Sequence, residues 1–186
     1  GEMALKGLNK STFENVLVKN IKRRIKSLGR FEITRAQSTI YIKPLEDCAD
    51  VNEAVERLKK VFGIAALCKA VVCEKTFDSI KDTALDYLSD CLSYAKTFKV
   101  TAKRADKSFP MKSPEICREL GGILLSEFSH LKVDVNNPEI TVTVEIRDTN
   151  AYIHAENIKG AGGLPVGTSG KAMLLLSGGI DSPVAG

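Results

Sequence analysis

Hydrophobic spacing switches from a helical period to a strand period and back within residues 11–73, and this order narrows the folds open to the chain. Over 11–28, Phe13, Val16, Leu17, Ile21, Ile25 and Leu28 recur at helical spacing. Ser11 and Glu14 read as a capping box, and Gly29 as the stop. Two β-like runs follow at 31–34 and 39–43, with 36–38 as the turn between them. Asp50 and Glu53 then frame a helix over 50–62, with a stripe of Val51, Ala54, Val55, Leu58 and Val61 and a stop at Gly63. Residues 64–73 read as a strand.

The order α-β-β-α-β is that of a ferredoxin-like βαββαβ unit without its first strand. A helix packed on so open a sheet edge leads us to expect a chain that began earlier than Gly1. A second cycle starts near Phe77. Ile80, Ala84, Tyr87, Leu88 and Cys91 form a helical stripe with Asp78 as its cap, and 98–103 alternates as a strand. Ser113 and Pro114 open a helix through Ile116, Leu120, Leu124 and Phe128. Strands are expected at 131–135, 139–147 and 151–155, with 136–138 turning the first into the second. A glycine-rich connector over 160–170 leads to a short buried strand at 173–176.

With 44% apolar and 27% charged residues, the 186-residue chain has the composition of a soluble globular protein, against disorder or a fibrous repeat. No run approaches the roughly 18 apolar residues of a membrane span, and the N-terminus lacks a signal-peptide layout, so a cytoplasmic setting and no membrane partner are expected. The five cysteines (48, 68, 73, 91 and 117) contain no C-x-x-C and are expected to be core or semi-buried thiols. His130 and His154 lack partners at ligand spacing, so no metal site is expected from them.

Charge is uneven on a chain whose net charge is only +4. Residues 1–30 hold eight basic and two acidic side chains, and residues 96–118 hold seven and two. Residues 119–150 reverse the balance with two and six. Two basic patches suit a localised anionic partner, although solvated helix faces give the same pattern.

The string Ser177-Gly178-Gly179-Ile180-Asp181-Ser182 directly follows four apolar residues. Small residues in a tight turn leave backbone N–H groups open to phosphate oxygens, and a following helix adds its positive end. Ser177 and Ser182 add hydroxyl donors. Asp181, repelled by phosphate, either orients the loop or helps to hold a metal. No Gly-Lys-Ser/Thr follows, so this is not a Walker loop. The string resembles the pyrophosphate loop of the PP-loop ATP pyrophosphatases, which activate a carbonyl by adenylation.

Three stretches narrow the resemblance: GEMALKGLNKSTF (1–13), FKVTAKRADKSFPMKSPEICRELG (98–121) and GAGGLPVGTSGKAMLLLSGGIDS (160–182). In order and spacing they resemble the tRNA 4-thiouridine synthetases, or tRNA sulfurtransferases. The resemblance implies an α/β (α+β) chain with an N-terminal ferredoxin-like domain over 1–73 and a THUMP RNA-binding domain over 74–165. A linker and the start of a PP-loop domain would occupy 166–186. It implies adenylation of O4 of uridine 8 in tRNA, with a persulfide sulfur displacing AMP. ATP and Mg2+ are the implied cofactors. The implied partners are the tRNA acceptor end and a cysteine desulfurase, and a homodimer is also anticipated. Some members of the family also serve thiamin thiazole synthesis.

Carried onto this chain, the resemblance puts Ser177, Gly178, Gly179, Asp181 and Ser182 at the pyrophosphate, with Asp181 catalytic and Leu175 and Leu176 lining the nucleotide. No cysteine falls in a matching sulfur-handling motif, so the chain by itself is expected to be inactive. For RNA, Lys103, Arg104, Lys107 and Lys112 would neutralise phosphates. Phe109 has two readings, a stacking platform for an unpaired base or a core plug beside Pro110. Lys6, Lys10, Lys22 and Arg23 would extend the track. Two rivals remain: a non-enzymatic THUMP module, and another adenylating PP-loop enzyme acting on a small metabolite.

Overall fold

The computed structural model describes residues 10–36, 39–171, 173–175 and 177–185, which form two compact units. The first comprises Gly1–Ala66 with Lys159–Gly186, and the second Leu67–Ile158. The sequence division at 73 and 165 therefore differs from the structural one, because 64–73 is not a single strand. It contains β3 (Ala66–Leu67) and β4 (Val71–Glu74), and β4 joins the sheet of the second unit. The short β9 (Ile158–Lys159) pairs with β3.

In the first unit, α1 (Lys10–Ile25) buries Leu17, Ile21 and Ile25, a four-residue repeat along one face. Ser11 lies within this helix, so it is not the expected cap. A 3-10 turn, Lys26–Leu28, ends at Gly29, whose φ of 125° and close approach to Ala49 both favour glycine. The antiparallel pair β1 (Phe31–Ala36) and β2 (Thr39–Pro44) matches the two expected strands, with Ala36 in β1 and residues 37–38 of the expected turn outside the described residues. Helix α2 (Val51–Leu58) starts as expected, with the Asp50 carboxylate accepting from Glu53 N at 2.9 Å, and buries Ala54 and Leu58.

The second unit is a five-stranded sheet in the order β4-β8-β7-β5-β6, with β5 spanning Thr97–Arg104, β6 Lys132–Val133, β7 Ile140–Ile146 and β8 Asn150–His154. Helices α3 (Phe77–Tyr94) and α4 (Ser113–Glu127) contribute Ile80, Ala84, Leu88 and Leu92, and Ile116, Leu120 and Leu124, to one core. From the sheet this core takes Phe98, Val142, Val144, Ile146, Ala151 and Ile153, at every second position along each strand.

Several local expectations change here. The α3 stripe runs strictly every four residues to Leu92, leaving Cys91 exposed and Tyr87 39% exposed. Its cap is Thr76, not Asp78, and accepts from Ser79 N at 3.2 Å. Lys112, not Ser113, holds the cap position of α4, where Glu115 Oε2 accepts from Lys112 N at 2.6 Å. Strands β6 and β7 flank β5 and both run parallel to it, so 136–138 does not form a hairpin. Instead, Asp134 accepts from Asn136 N and Asn137 N, both at 2.9 Å, and Glu139 accepts from Lys96 N at 2.7 Å beside the start of β5. Cys48 and Cys68 are also exposed, whereas Cys73 and Cys117 are half-buried. Among the described residues no helix is long and apolar enough to cross a membrane.

Candidate nucleic-acid interface

Strand β5 delivers Lys103 and Arg104 to a loop that ends at Lys112, the cap of α4. This loop is built in from several sides. Ala105 N donates to Ile146 O at 2.9 Å, continuing the β5–β7 ladder. Arg104 Nη1 donates to the carbonyls of Phe109 at 3.2 Å and Met111 at 3.0 Å. Asp106 accepts from Ser108 N at 2.7 Å and Ser108 Oγ at 2.6 Å, a short Asx turn. Lys75 Nζ reaches the Asp106 carboxylate at 2.6 Å and Asp148 O at 2.8 Å. The Lys75 ammonium, followed by the Ser108 bonds, holds the Asp106 carboxyl well below the usual carboxylate range.

These contacts separate two roles within the basic segment. Lys107 and Lys112 are exposed, and the Lys103 side chain is 71% exposed with Nζ 3.7 Å from Glu145 Oε1. All three present charge to solvent, as phosphate contacts require. Arg104 is half-buried, and its bonds to two carbonyls close the loop and position its backbone. Phe109 is 5% exposed in the core of the second unit, which corrects the stacking reading in favour of the core plug. Burial wins because stacking would require that ring to leave an apolar site.

Below the loop, Glu145 is flanked by Arg147 Nη2 at 2.7 Å, Lys103 Nζ at 3.7 Å and His154 Nε2 at 3.9 Å. His154, Arg147 and Lys103 draw the Glu145 carboxyl down to about 2 against the pull of burial. Cys68 and then Glu145 beside it raise His154 to about 9, so it is a cation at neutral pH. His154 therefore adds positive charge to this strand pair. His130 Nε2 lies 3.1 Å from Leu92 O.

In the first unit, Lys22 and Arg23 are exposed on α1, whereas Lys10 is half-buried and 3.6 Å from Glu14. Lys6 and Leu176 lie outside the described residues.

The terminal glycine loop is held by few bonds. Ser177 Oγ and Ser182 Oγ lie 2.8 Å apart, Ser177 N donates to Ser182 Oγ at 3.4 Å, and Gly179 N donates to Ser177 Oγ at 3.4 Å. Asp181 opens the five-residue helix α5 (Asp181–Ala185). The expected strand at 173–176 is not formed at its described residues: Met173 is 92% and Leu175 87% exposed. A buried parallel strand exists only by pairing, and none of the described strands pairs with this stretch. A Cβ built on Gly178 meets nothing within 4 Å. The donors are nonetheless the right kind for phosphate: two hydroxyls and glycine amides with no side chain in the way.

Lys75 and Asp106 were not singled out from the sequence. Asp106-Lys107-Ser108 carries an Asx-turn signal that could have identified Asp106. Lys75 is 31 residues from its partner and has no local signal.

Comparisons with known proteins agree with this division. Residues 1–68 match the model of the ThiI ferredoxin-like domain, and residues 74–156 that of the THUMP domain. The chain is 48% identical over its whole length to a "Probable tRNA sulfurtransferase" from Acetivibrio thermocellus, covering 48% of that protein. It is 49% identical over its whole length to a protein of the same name from Alkaliphilus metalliredigens, covering 47% of it. The chain thus spans about half the length of the curated relatives it matches. Among solved structures, a 4-thiouridine synthetase in complex with RNA and bound ATP matches with a TM-score of 0.83 at 38% identity. That match covers 100% of this chain and 46% of the solved one.

Proposed function

Because the chain belongs to the tRNA sulfurtransferase family, with its ThiI ferredoxin-like and THUMP domains, we propose that it is the tRNA-binding part of an ATP-dependent enzyme making 4-thiouridine at uridine 8. The observation that carries this reading is the end-to-end match, at a TM-score of 0.83, to a 4-thiouridine synthetase solved with RNA and ATP. The braced basic loop supports it independently. Lys103, Lys107 and Lys112 neutralise phosphates of the acceptor end, while Arg104, Asp106 and Lys75 keep their backbone in one geometry before RNA arrives. Pre-ordering the loop lowers the entropy lost on binding.

Ser177, Gly178, Gly179 and Ser182 are the residues that would hold ATP phosphates, and Asp181 supplies the hard oxygen donor suited to Mg2+. Bound there, ATP supplies the adenylyl group that turns the uracil O4 into a leaving group, and a persulfide from a cysteine desulfurase supplies the sulfur. The serine hydroxyls and glycine amides would hold the pyrophosphate portion of ATP by hydrogen bonds. A cytoplasmic homodimer that also supplies sulfur for thiamin thiazole is the fuller form of this proposal.

Asp181→Ala in the complete protein tests it. Thiolation is lost while tRNA affinity is nearly unchanged, because the loop acts on ATP. Thiolation near the wild-type rate contradicts the assignment. The 186-residue chain alone binds tRNA without releasing AMP, and AMP release at the rate of the complete protein would contradict this.

A further inference from the structure

Strand register in the second unit gathers three cations around one carboxylate. Lys103 on β5 is the register partner of Glu145 on β7, and His154 on β8 pairs with Thr143, two residues before Glu145. These side chains lie on the sheet face opposite the core positions Val144, Ile146 and Ile153, because side chains alternate along a strand. Arg147, just past the end of β7, reaches the same carboxylate.

The two oxygens are shared unevenly. Arg147 Nη2 takes Oε2 at 2.7 Å, whereas Lys103 Nζ and His154 Nε2 both face Oε1, at 3.7 and 3.9 Å. Exposure separates those two. The Lys103 side chain is 71% exposed, and those of His154 and Glu145 are 16% and 17% exposed. Glu145 and Cys68 face His154 and keep its ring charged at neutral pH, while Arg147 and Lys103 stand across Glu145. With His154 charged, each oxygen of Glu145 has a cation of its own, and Lys103 is surplus. A half-buried carboxylate stripped of its counter-charge is strongly disfavoured, but here Lys103 can leave without stripping it. With a neutral ring at position 154, Oε1 would depend on Lys103, and a phosphate would have to break that pair.

We propose that His154 is a positioning residue for tRNA binding: its charge occupies Oε1 of Glu145 and so leaves Lys103 free to move from carboxylate to phosphate. His154 acts through Glu145 and not by contact with RNA. The proposal rests on the tRNA-binding reading above and goes beyond it by assigning a role to a side chain outside the 103–112 loop.

The test is the salt dependence of equilibrium binding between labelled tRNA and the 186-residue chain at neutral pH. His154→Gln keeps a polar side chain without the charge, so Lys103 stays on Glu145. The slope of log affinity against log salt becomes flatter by about 0.7–0.9, the release from one phosphate. Lys103→Ala flattens the slope equally, and adding His154→Gln to it flattens the slope no further. Glu145→Gln combined with His154→Gln restores the wild-type slope, since no carboxylate then competes for Lys103. Circular dichroism confirms that each variant is folded. A second readout needs no change at position 154: the wild-type slope flattens as pH rises from neutral through about 9, and that of Lys103→Ala does not. An unchanged slope in folded His154→Gln, flattening that adds to that of Lys103→Ala, or a wild-type slope constant through pH 9 overturns the role of His154 and leaves the tRNA reading standing. Absence of tRNA binding by the wild-type chain overturns both.

Discussion

Two loops carry the residues expected to meet RNA and ATP, and they are built in opposite ways. The 103–112 loop is fastened to its sheet by Ala105, closed by Arg104 on two carbonyls, crossed by the Lys75–Asp106 pair and plugged by Phe109. The 177–182 loop is held, among the described residues, by a serine–serine hydrogen bond and two long contacts of 3.4 Å, with Leu175 and Ile180 more than 80% exposed beside it. The second unit therefore braces the 103–112 loop through its own sheet and core, whereas among the described residues the glycine loop is held only by its own hydroxyls and amides. A motif fixes what a loop can bind; only the surrounding packing fixes when it is ready to bind.

The comparison breaks most visibly at Phe109. Replacing it with Ala removes a buried ring and should cost about 3–5 kcal/mol of unfolding free energy in a denaturant titration. Leu175→Ala, beside the other loop, should change stability by less than about 0.5 kcal/mol. A mild effect at Phe109 would mean that the first loop is not plugged. Next in size is Arg104→Ala, which leaves two carbonyls without their charged donor. A loss of about 1.5–3 kcal/mol is expected, with only partial rescue by Lys, which lacks the planar fork.

Titration sharpens the contrast further. Glu145 is held at about 2 against an ordinary 4.5, so its contribution is present above pH 4.5 and lost as pH falls toward 2. His154 is raised from 6.5 to about 9, so its contribution is complete below pH 6.5 and fades as pH rises through 9. Stability of the second unit should therefore be flat from about pH 4.5 to 6.5 and fall on both sides. His154→Gln should remove the alkaline decline, and an unchanged alkaline arm would contradict the pairing. The smallest effect is expected for Ser182→Ala, which breaks the 2.8 Å serine contact on an exposed loop and should leave thermal unfolding unmoved within about 0.5 kcal/mol.

What was legible in the sequence followed local rules. Asp50 with Glu53, and Gly29, mark helix limits through bonds and backbone angles a few residues long, and the structure keeps them; the stop expected at Gly63 is corrected, because α2 ends at Leu58 and turns fill the residues up to Gly63. The β1 and β2 strands were legible as two short β-like runs. Errors arose where long-range packing decides. Residues 64–73 look like one apolar strand, but β4 is claimed by β8, about eighty residues away in sequence, and separates from β3. Cys91 and Leu92 are one helical step apart, and only the position of the facing core selects Leu92. At the site, Lys103, Lys107 and Lys112 were readable as charge near a strand end. Arg104 looked equally available and Phe109 was read as either a stacking platform or a core plug, and only their bonds and burial reveal them as supports.

The central claim is that the braced loop presents Lys103, Lys107 and Lys112 to RNA phosphates. The most direct measurement is the salt dependence of tRNA binding by a variant with all three replaced by Ala. These side chains lie outside the core, so the variant should fold like wild type. Its slope of log affinity against log salt should be flatter by about two to three units, one lysine for each phosphate released. A folded triple variant that binds tRNA with the wild-type affinity and slope would contradict the account.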